Sequence, residues 1–162
     1  MVQIRLAEPA DAQAVRTIYN LEVTTATSTF DLVPRSLAEQ EDWLAQRSGA
    51  FSAIVAELDG DVVGFASLSP YKERAAYRTT VEDSVSVSRD HERRGIGSAL
   101  LEQLIEVATA SGFHTVIARI EASSESSRAL HTRCGFELVG IERQVGRKFS
   151  RWLDVAVMQR ML

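Results

Sequence analysis

The stretch Val85-Ser86-Val87-Ser88-Arg89-Asp90-His91-Glu92-Arg93-Arg94-Gly95-Ile96-Gly97-Ser98 runs from a β-prone segment through a basic, glycine-containing turn into an apolar-periodic segment. Behind the turn, Ile96, Leu100, Leu104 and Ala108 share one face with Leu101 and Ile105 beside them, which predicts an amphipathic helix stopping at Ser111-Gly112. The first-turn N–H groups of a helix have no intrahelical acceptor, and the helix dipole favours an anion there. Gly95 and Gly97 let the backbone approach a ligand closely, and Arg93 and Arg94 offer charge-assisted hydrogen bonds. The turn reads as a phosphate cradle. On its own it also fits a solvated arginine pair beside two turn-shaping glycines. The patterns GxxxxGK[ST] and GxGxxG are both absent, which takes support from an ATP or dinucleotide site.

The flanking segments set this turn in a mixed sheet. Val2 to Leu6 alternates as a short strand, and Glu8-Pro9 opens a helix with Ala14, Ile18 and Leu21 on one face. An irregular segment is expected around Thr24 to Thr29. Ser36-Leu37-Ala38-Glu39 has the capping-box form, which predicts a helix with Leu37, Trp43 and Leu44 as apolar positions, ending near Gly49. Phe51 to Leu58 and Val62 to Ser69 are strand-like and meet across Asp59-Gly60, a pair suited to a tight hairpin. Thr79 to Ser88 is β-prone, with broken alternation at Glu82-Asp83-Ser84 that predicts a bulge. Thr115 to Ile120 is a further strand, Ser126 to Arg133 a short helix closed by Cys134-Gly135, and Phe136 to Ile141 and Trp152 to Met161 the final strands. The order βααβββαβαββ predicts an α/β (mixed α+β) domain with a mixed sheet.

Composition narrows the function classes. A chain of 162 residues with 45% hydrophobic residues reads as one domain, residues 1–162, with its own core. The balance of 18 Lys+Arg against 22 Asp+Glu disfavours a nucleic-acid binder, whose affinity rests on excess cations meeting phosphates. The single cysteine, Cys134, cannot form an internal disulfide, and no Cys/His spacing suggests zinc, so no metal is expected. The N-terminal residues MVQIRLAEPADAQ lack the apolar core of a signal peptide, and no apolar run approaches membrane-spanning length. A soluble cytoplasmic protein is expected, with no membrane partner.

The segment Glu92 to Gly97 resembles the pyrophosphate-binding motif Gln/Arg-x-x-Gly-x-Gly/Ala of the GCN5-related N-acetyltransferase (GNAT) superfamily, with Glu92 departing at the first position. Within that superfamily the chain is similar to the phosphinothricin and methionine sulfoximine N-acetyltransferases. The resemblance is carried by Ile18-Tyr19-Asn20, Thr29-Phe30-Asp31 with Pro34-Arg35-Ser36, Tyr77 to Val85, His91 to Gly97, Leu130-His131 with Gly135-Phe136, and Trp152-Leu153-Asp154. It implies a GNAT fold, in which helices flank a central mixed, mostly antiparallel sheet. It also implies acetyl-CoA as co-substrate, transfer to the α-amino group of a small amino acid or analogue, and a homodimer.

The resemblance places several residues. An amine attacks a thioester only as the free base, and Glu82 lies where the family carries the acidic group near the amine; pairing with Arg74 or Arg78 is its alternative role. Val85, Ser86 and Val87 match the strand whose backbone binds the pantetheine arm, and Arg93, Arg94, Gly95, Ile96, Gly97 and Ser98 match the pyrophosphate loop. His131 stands where many relatives carry a Tyr that protonates the departing thiolate, and it also fits a helical His facing the core. Ser124 replaces the family's usual Asn at a cofactor contact and keeps one hydroxyl for it. Lys72, Glu73 and Arg74 with Glu82, Asp83 and Ser84 match the substrate segments. Arg74 and Arg78 suit an α-carboxylate, while Phe30 and Tyr77 suit a side-chain pocket. Cys134 reads as a small packed residue. Two rival functions remain: a GNAT enzyme for another amine, such as a polyamine, a different amino acid or a protein N-terminus, and a catalytically silent coenzyme A-binding module.

Overall fold

A computed structural model describes residues 1–162. Its seven strands are β1 (Gln3–Leu6), β2 (Ala53–Leu58), β3 (Asp61–Pro70), β4 (Thr80–Val87), β5 (Thr115–Glu121), β6 (Glu137–Lys148) and β7 (Arg151–Met161). The helices are α1 (Ala12–Thr25), α2 (Leu37–Ala45), α3 (Ile96–Ala110) and α4 (Glu125–Arg133). One sheet holds the strands in the order β1-β2-β3-β4-β5-β7-β6. Every neighbouring pair is antiparallel except β4–β5, whose parallel pairing requires the crossover that α3 supplies. The expected mixed, mostly antiparallel α/β architecture is what forms.

Alternation along the strands feeds two cores. Ile54 and Ala56 of β2 pack with α3 through Leu100, Leu101, Leu104 and Ile105, while Val55 between them joins Val15, Ile18 and Phe65 under α1. Trp43 of α2 meets the Phe65 ring edge-on at 6.0 Å, so α1 and α2 cover one face and α3 and α4 the other. Gly64 admits α3 to the sheet: a Cβ there would lie 3.0 Å from both Leu100 Cδ1 and the Ser86 carbonyl oxygen. At the sheet's first edge, Arg5 donates to both carboxylate oxygens of Asp11 and to Glu57, tying β1 to the turn before α1.

The Asp59-Gly60 hairpin forms as expected, with φ of 53° and 87° at its two turn residues. Three element ends and one bulge differ most from the sequence reading. Thr24 and Thr25 belong to α1 rather than to the irregular segment, and α2 ends at Ala45, short of Gly49. Strand β6 continues past Ile141 to Lys148, because its polar second half pairs with β7 through an irregularity between Glu142 and Gly146 that breaks simple alternation. The bulge expected at Glu82-Asp83-Ser84 is not there: β4 pairs with β3 in unbroken register from Val81 to Val87. The adjacent acids reflect instead a strand with functional groups on both faces.

Candidate active site

The pairing of β4 with β5 covers only Thr80–Thr115, Val81–Val116 and Glu82–Ile117, although the strands run on to Val87 and Glu121. Beyond Glu82 the two strands part and leave edge backbone open on both sides. A cleft of about 160 Å³ fills this gap, lined by Asp83, Ser84 and Val85 of β4, Ala118 to Glu121 of β5, and Ser124, Ser127 and His131 at α4. An extended amide-bearing chain entering here can pair with strand edges as an added strand does. Ser124 is the N-cap of α4, yet its side chain makes no capping hydrogen bond, so the hydroxyl remains free for a ligand.

The basic turn lies where β4 leads into α3. Arg93 and Gly95 both adopt left-handed conformations, with φ of 61° and 80°, and Gly95 is the N-cap of α3. The consecutive N–H groups from Arg93 to Ser98 find no acceptor within the protein, while Ala99 N–H donates to the Gly95 carbonyl and begins the helix. Successive free N–H groups with alternating backbone hands form an anion-binding concavity. Gly97 also fits the helix pair, since a Cβ there would come within 3.3 Å of Leu130 Cδ2 on α4. Arg93 and Arg94 are exposed beside the turn. The turn with its free N–H groups, the splayed strands and the free hydroxyl thus occupy adjoining parts of the α3/α4 side of the sheet.

Neighbours on a strand face opposite ways, which separates Glu82 from Asp83. Asp83 Oδ2 lies 2.7 Å from His131 Nε2, and His131 Nδ1 lies 2.8 Å from the Ser127 carbonyl oxygen. Asp83, which lines the cleft, is therefore held through Oδ2 by α4, and both ring nitrogens of His131 are engaged. The His131 side chain is 5% exposed and that of Asp83 2%. Burial opposes a charged imidazole, but the hydrogen bond and charge of Asp83, with the Ser127 carbonyl, outweigh it and raise the His131 pKa.

Glu82 lies 3.7 Å from Arg119 Nε, and the same guanidinium reaches Glu142 of β6 at 2.6 Å. Arg119, rather than Arg74 or Arg78, is its cation. Burial raises the Glu82 pKa, as does the nearby Asp83, while Arg119 pulls it down; the upward direction prevails. A carboxylate poised this way, at the last paired position before the gap, is suited to taking up a proton. At the other end of β5, buried Glu121 accepts from Thr27 at 2.9 Å and from the Ser123 hydroxyl at 2.7 Å, anchoring the segment after α1.

The remaining candidates are more scattered. Lys72, Glu73, Arg74, Tyr77 and Arg78 are exposed on the β3–β4 connection, with Lys72 Nζ over the Tyr71 and Tyr77 rings at 5.0 and 5.3 Å. Phe30, on the segment after α1, packs on Gly146 of β6, and buried Lys148 fixes the same loop by donating to the Thr29 carbonyl at 2.7 Å. Sequence reasoning missed Arg119, Gly146 and Lys148. Arg119 left a trace, as the charged position within the apolar run Val116 to Ile120. Gly146 and Lys148 left none, because their partners lie more than a hundred residues away.

The acetyltransferase (GNAT) family model matches residues 15–136 of this chain. The chain belongs to the GNAT family and is an acetyl-CoA-dependent N-acetyltransferase. It is 39% identical to the L-methionine sulfoximine/L-methionine sulfone acetyltransferase of Pseudomonas aeruginosa, over 96% of this chain and 92% of that one. Among solved structures, a phosphinothricin acetyltransferase from Sinorhizobium meliloti in complex with acetyl-CoA superposes with a TM-score of 0.96 at 39% identity, covering 99% of this chain and 88% of that one. The ribosomal-protein-alanine N-acetyltransferase from Brucella melitensis is similar too, with a TM-score of 0.97 at 40% identity and 99% coverage of each chain.

Proposed function

We propose that this enzyme acetylates the α-amino group of a small amino acid or analogue of the methionine sulfoximine, methionine sulfone or phosphinothricin type. The observation that carries this reading is Glu82, a carboxylate of raised pKa at the point where β4 and β5 part. The names of relatives similar over nearly the full chain supply the substrate class.

In this account Arg93 to Ser98 hold the pyrophosphate of acetyl-CoA through backbone N–H groups, and Val85, Ser86 and Val87 pair with its pantetheine arm. Ser124 adds one hydroxyl contact. The amine lone pair attacks the thioester carbon, a C–N bond forms, the C–S bond breaks, and its electron pair leaves on sulfur. The proton lost by the amine passes to Glu82, directly or through one water. A β4 N–H stabilises the oxyanion. The departing thiolate forms beside His131, whose positive charge stabilises it until it gains its proton from water. Phe30 walls the side-chain pocket, while Lys72, Glu73 and Arg74 with Ser84 complete the substrate boundary.

The test is acetyl-CoA-dependent thiol release with methionine sulfoximine, methionine sulfone, phosphinothricin, ordinary amino acids, a polyamine and a peptide with N-terminal alanine. Turnover concentrated on the first three supports the reading. Preference for the peptide moves the assignment to protein N-termini, as in the Brucella relative's name.

The same reading places the enzyme in the cytoplasm, where acetyl-CoA is available, and as a homodimer. The long edge strand β6 exposes Leu138, Val139, Ile141 and Val145, a row that a second copy can cover. Sedimentation velocity with Ile141→Lys checks it: a wild-type dimer converted to monomer is expected, and a wild-type monomer contradicts it.

A further inference from the structure

We infer that Asp83 is a positioning residue of the transfer reaction, keeping a proton on both ring nitrogens of His131 beside the cleft. This rests on the cleft being the acetyl-transfer site proposed above, and it removes Asp83 from the substrate contacts.

Donors and acceptors around the ring decide where its protons sit. A backbone carbonyl only accepts, so the 2.8 Å contact of Nδ1 with the Ser127 oxygen requires a proton on Nδ1. A neutral ring would then turn the lone pair of Nε2 towards a carboxylate oxygen 2.7 Å away, which is repulsive. A second proton, between Nε2 and Oδ2, resolves the conflict; held on the imidazole, the stronger base of the two, it makes the pair an imidazolium and a carboxylate. The side chains are too buried for water to intervene, and the Phe136 ring closes one side at 4.9 Å with its plane turned 79° from the imidazole.

The other charges around the pair are committed elsewhere. On β5, Arg119 is held by Glu82 and Glu142, and Glu121 by Thr27 and Ser123. On α4 itself, Arg128 donates to the Ala122 carbonyl at 3.1 Å, while Glu125 and Arg133 are exposed. Arg160 of β7 binds the Cys134 carbonyl, and Glu102 on α3 is exposed. Asp83 is the anion in contact with the ring.

The second oxygen of Asp83 has no protein partner, which leaves His131 as the group that holds the carboxylate. Asp83 lines the cleft, and Oδ1 is buried with no protein donor. A buried carboxylate oxygen left unpaired is costly. The bond to His131 Nε2 is the contact that offsets this cost.

Nitrogen NMR of the wild-type enzyme labelled with ¹⁵N-histidine reads the His131 ring directly, without substrate. Two protonated ring nitrogens persisting through neutral pH are expected; a singly protonated ring at neutral pH overturns the inference. Asp83→Asn is expected to lower kcat roughly tenfold or more. It should leave the amine KM little changed and move the alkaline limb of the kcat profile to lower pH. In a His131→Gln background the same change should cost little. A raised amine KM with kcat intact would make Asp83 a substrate contact, and an undiminished cost without His131 would show that it acts independently. Should Asp83→Asn fail to fold, the wild-type spectrum still decides. An imidazolium in an enzyme that turns over no small amino acid would uphold the pairing and end the substrate assignment alone.

Discussion

The Phe30 ring lies directly over Gly146, in space that a β-carbon at residue 146 would need. Phe30 comes from the segment after α1 and Gly146 from β6, so a missing side chain on one strand sets the position of an aromatic ring carried by a distant loop. The donation of Lys148 to the Thr29 carbonyl at 2.7 Å fixes the loop one residue away.

Gly146→Ala is therefore expected to displace Phe30. Overpacking of this kind costs on the order of 1–3 kcal/mol. The loop is half-exposed and can yield, so the loss of Tm should be small and the kinetic effect specific: amine KM rises several-fold while acetyl-CoA KM does not. Steady-state rates with each substrate varied in turn check this, and equal effects on both would place Phe30 outside the amine pocket.

For Glu82→Gln the expected signature is lost turnover with stability retained. A carboxyl whose folded pKa is raised contributes stability at low pH that is lost as pH rises through that pKa, so ionised Glu82 is a burden at neutral pH. Removing its charge should leave Tm unchanged or slightly higher, with Arg119 still paired to Glu142. The kcat should fall by about 10²-fold or more if the carboxylate carries the amine's proton. In the wild type, the acid limb of the rate profile should lie above the ordinary glutamate range. Unchanged kcat at saturating substrates across pH would remove Glu82 from proton transfer.

At the turn proposed to hold the pyrophosphate, Gly95 has φ of 80° and open space around its α-carbon. Gly95→Val fails through backbone conformation and not through collision, because a β-branched residue resists the left-handed region. Coenzyme binding by calorimetry should be lost or weakened by at least an order of magnitude, a cost of about 1.4 kcal/mol per tenfold. Undiminished affinity would place the pyrophosphate elsewhere.

The parts legible in the sequence were those whose cause is local. The glycine turn before Ile96, the Asp59-Gly60 hairpin and the amphipathic face of α3 each follow from residues a few positions apart, and each forms where expected. The family resemblance added the roles of the β4 and α3 segments. What stayed hidden depends on distant partners. The meaning of Glu82-Asp83 needed β5 and α4: parallel pairing stops at Glu82, and alternation then sends one acid to Arg119 and the other to His131. A single strand offers no sign of where its neighbour leaves it, and the broken apolar pattern resembled a bulge. Likewise the second half of β6 is polar enough to escape a periodicity search, since only its pairing with β7 makes it a strand.

The most direct test of the account is the initial rate of thiol release with acetyl-CoA and methionine sulfoximine both varied. Direct transfer from thioester to amine within one complex predicts double-reciprocal lines that intersect, with no thiol burst before amine is added. Parallel lines, or a stoichiometric burst from acetyl-CoA alone, would contradict it by revealing an acetylated enzyme.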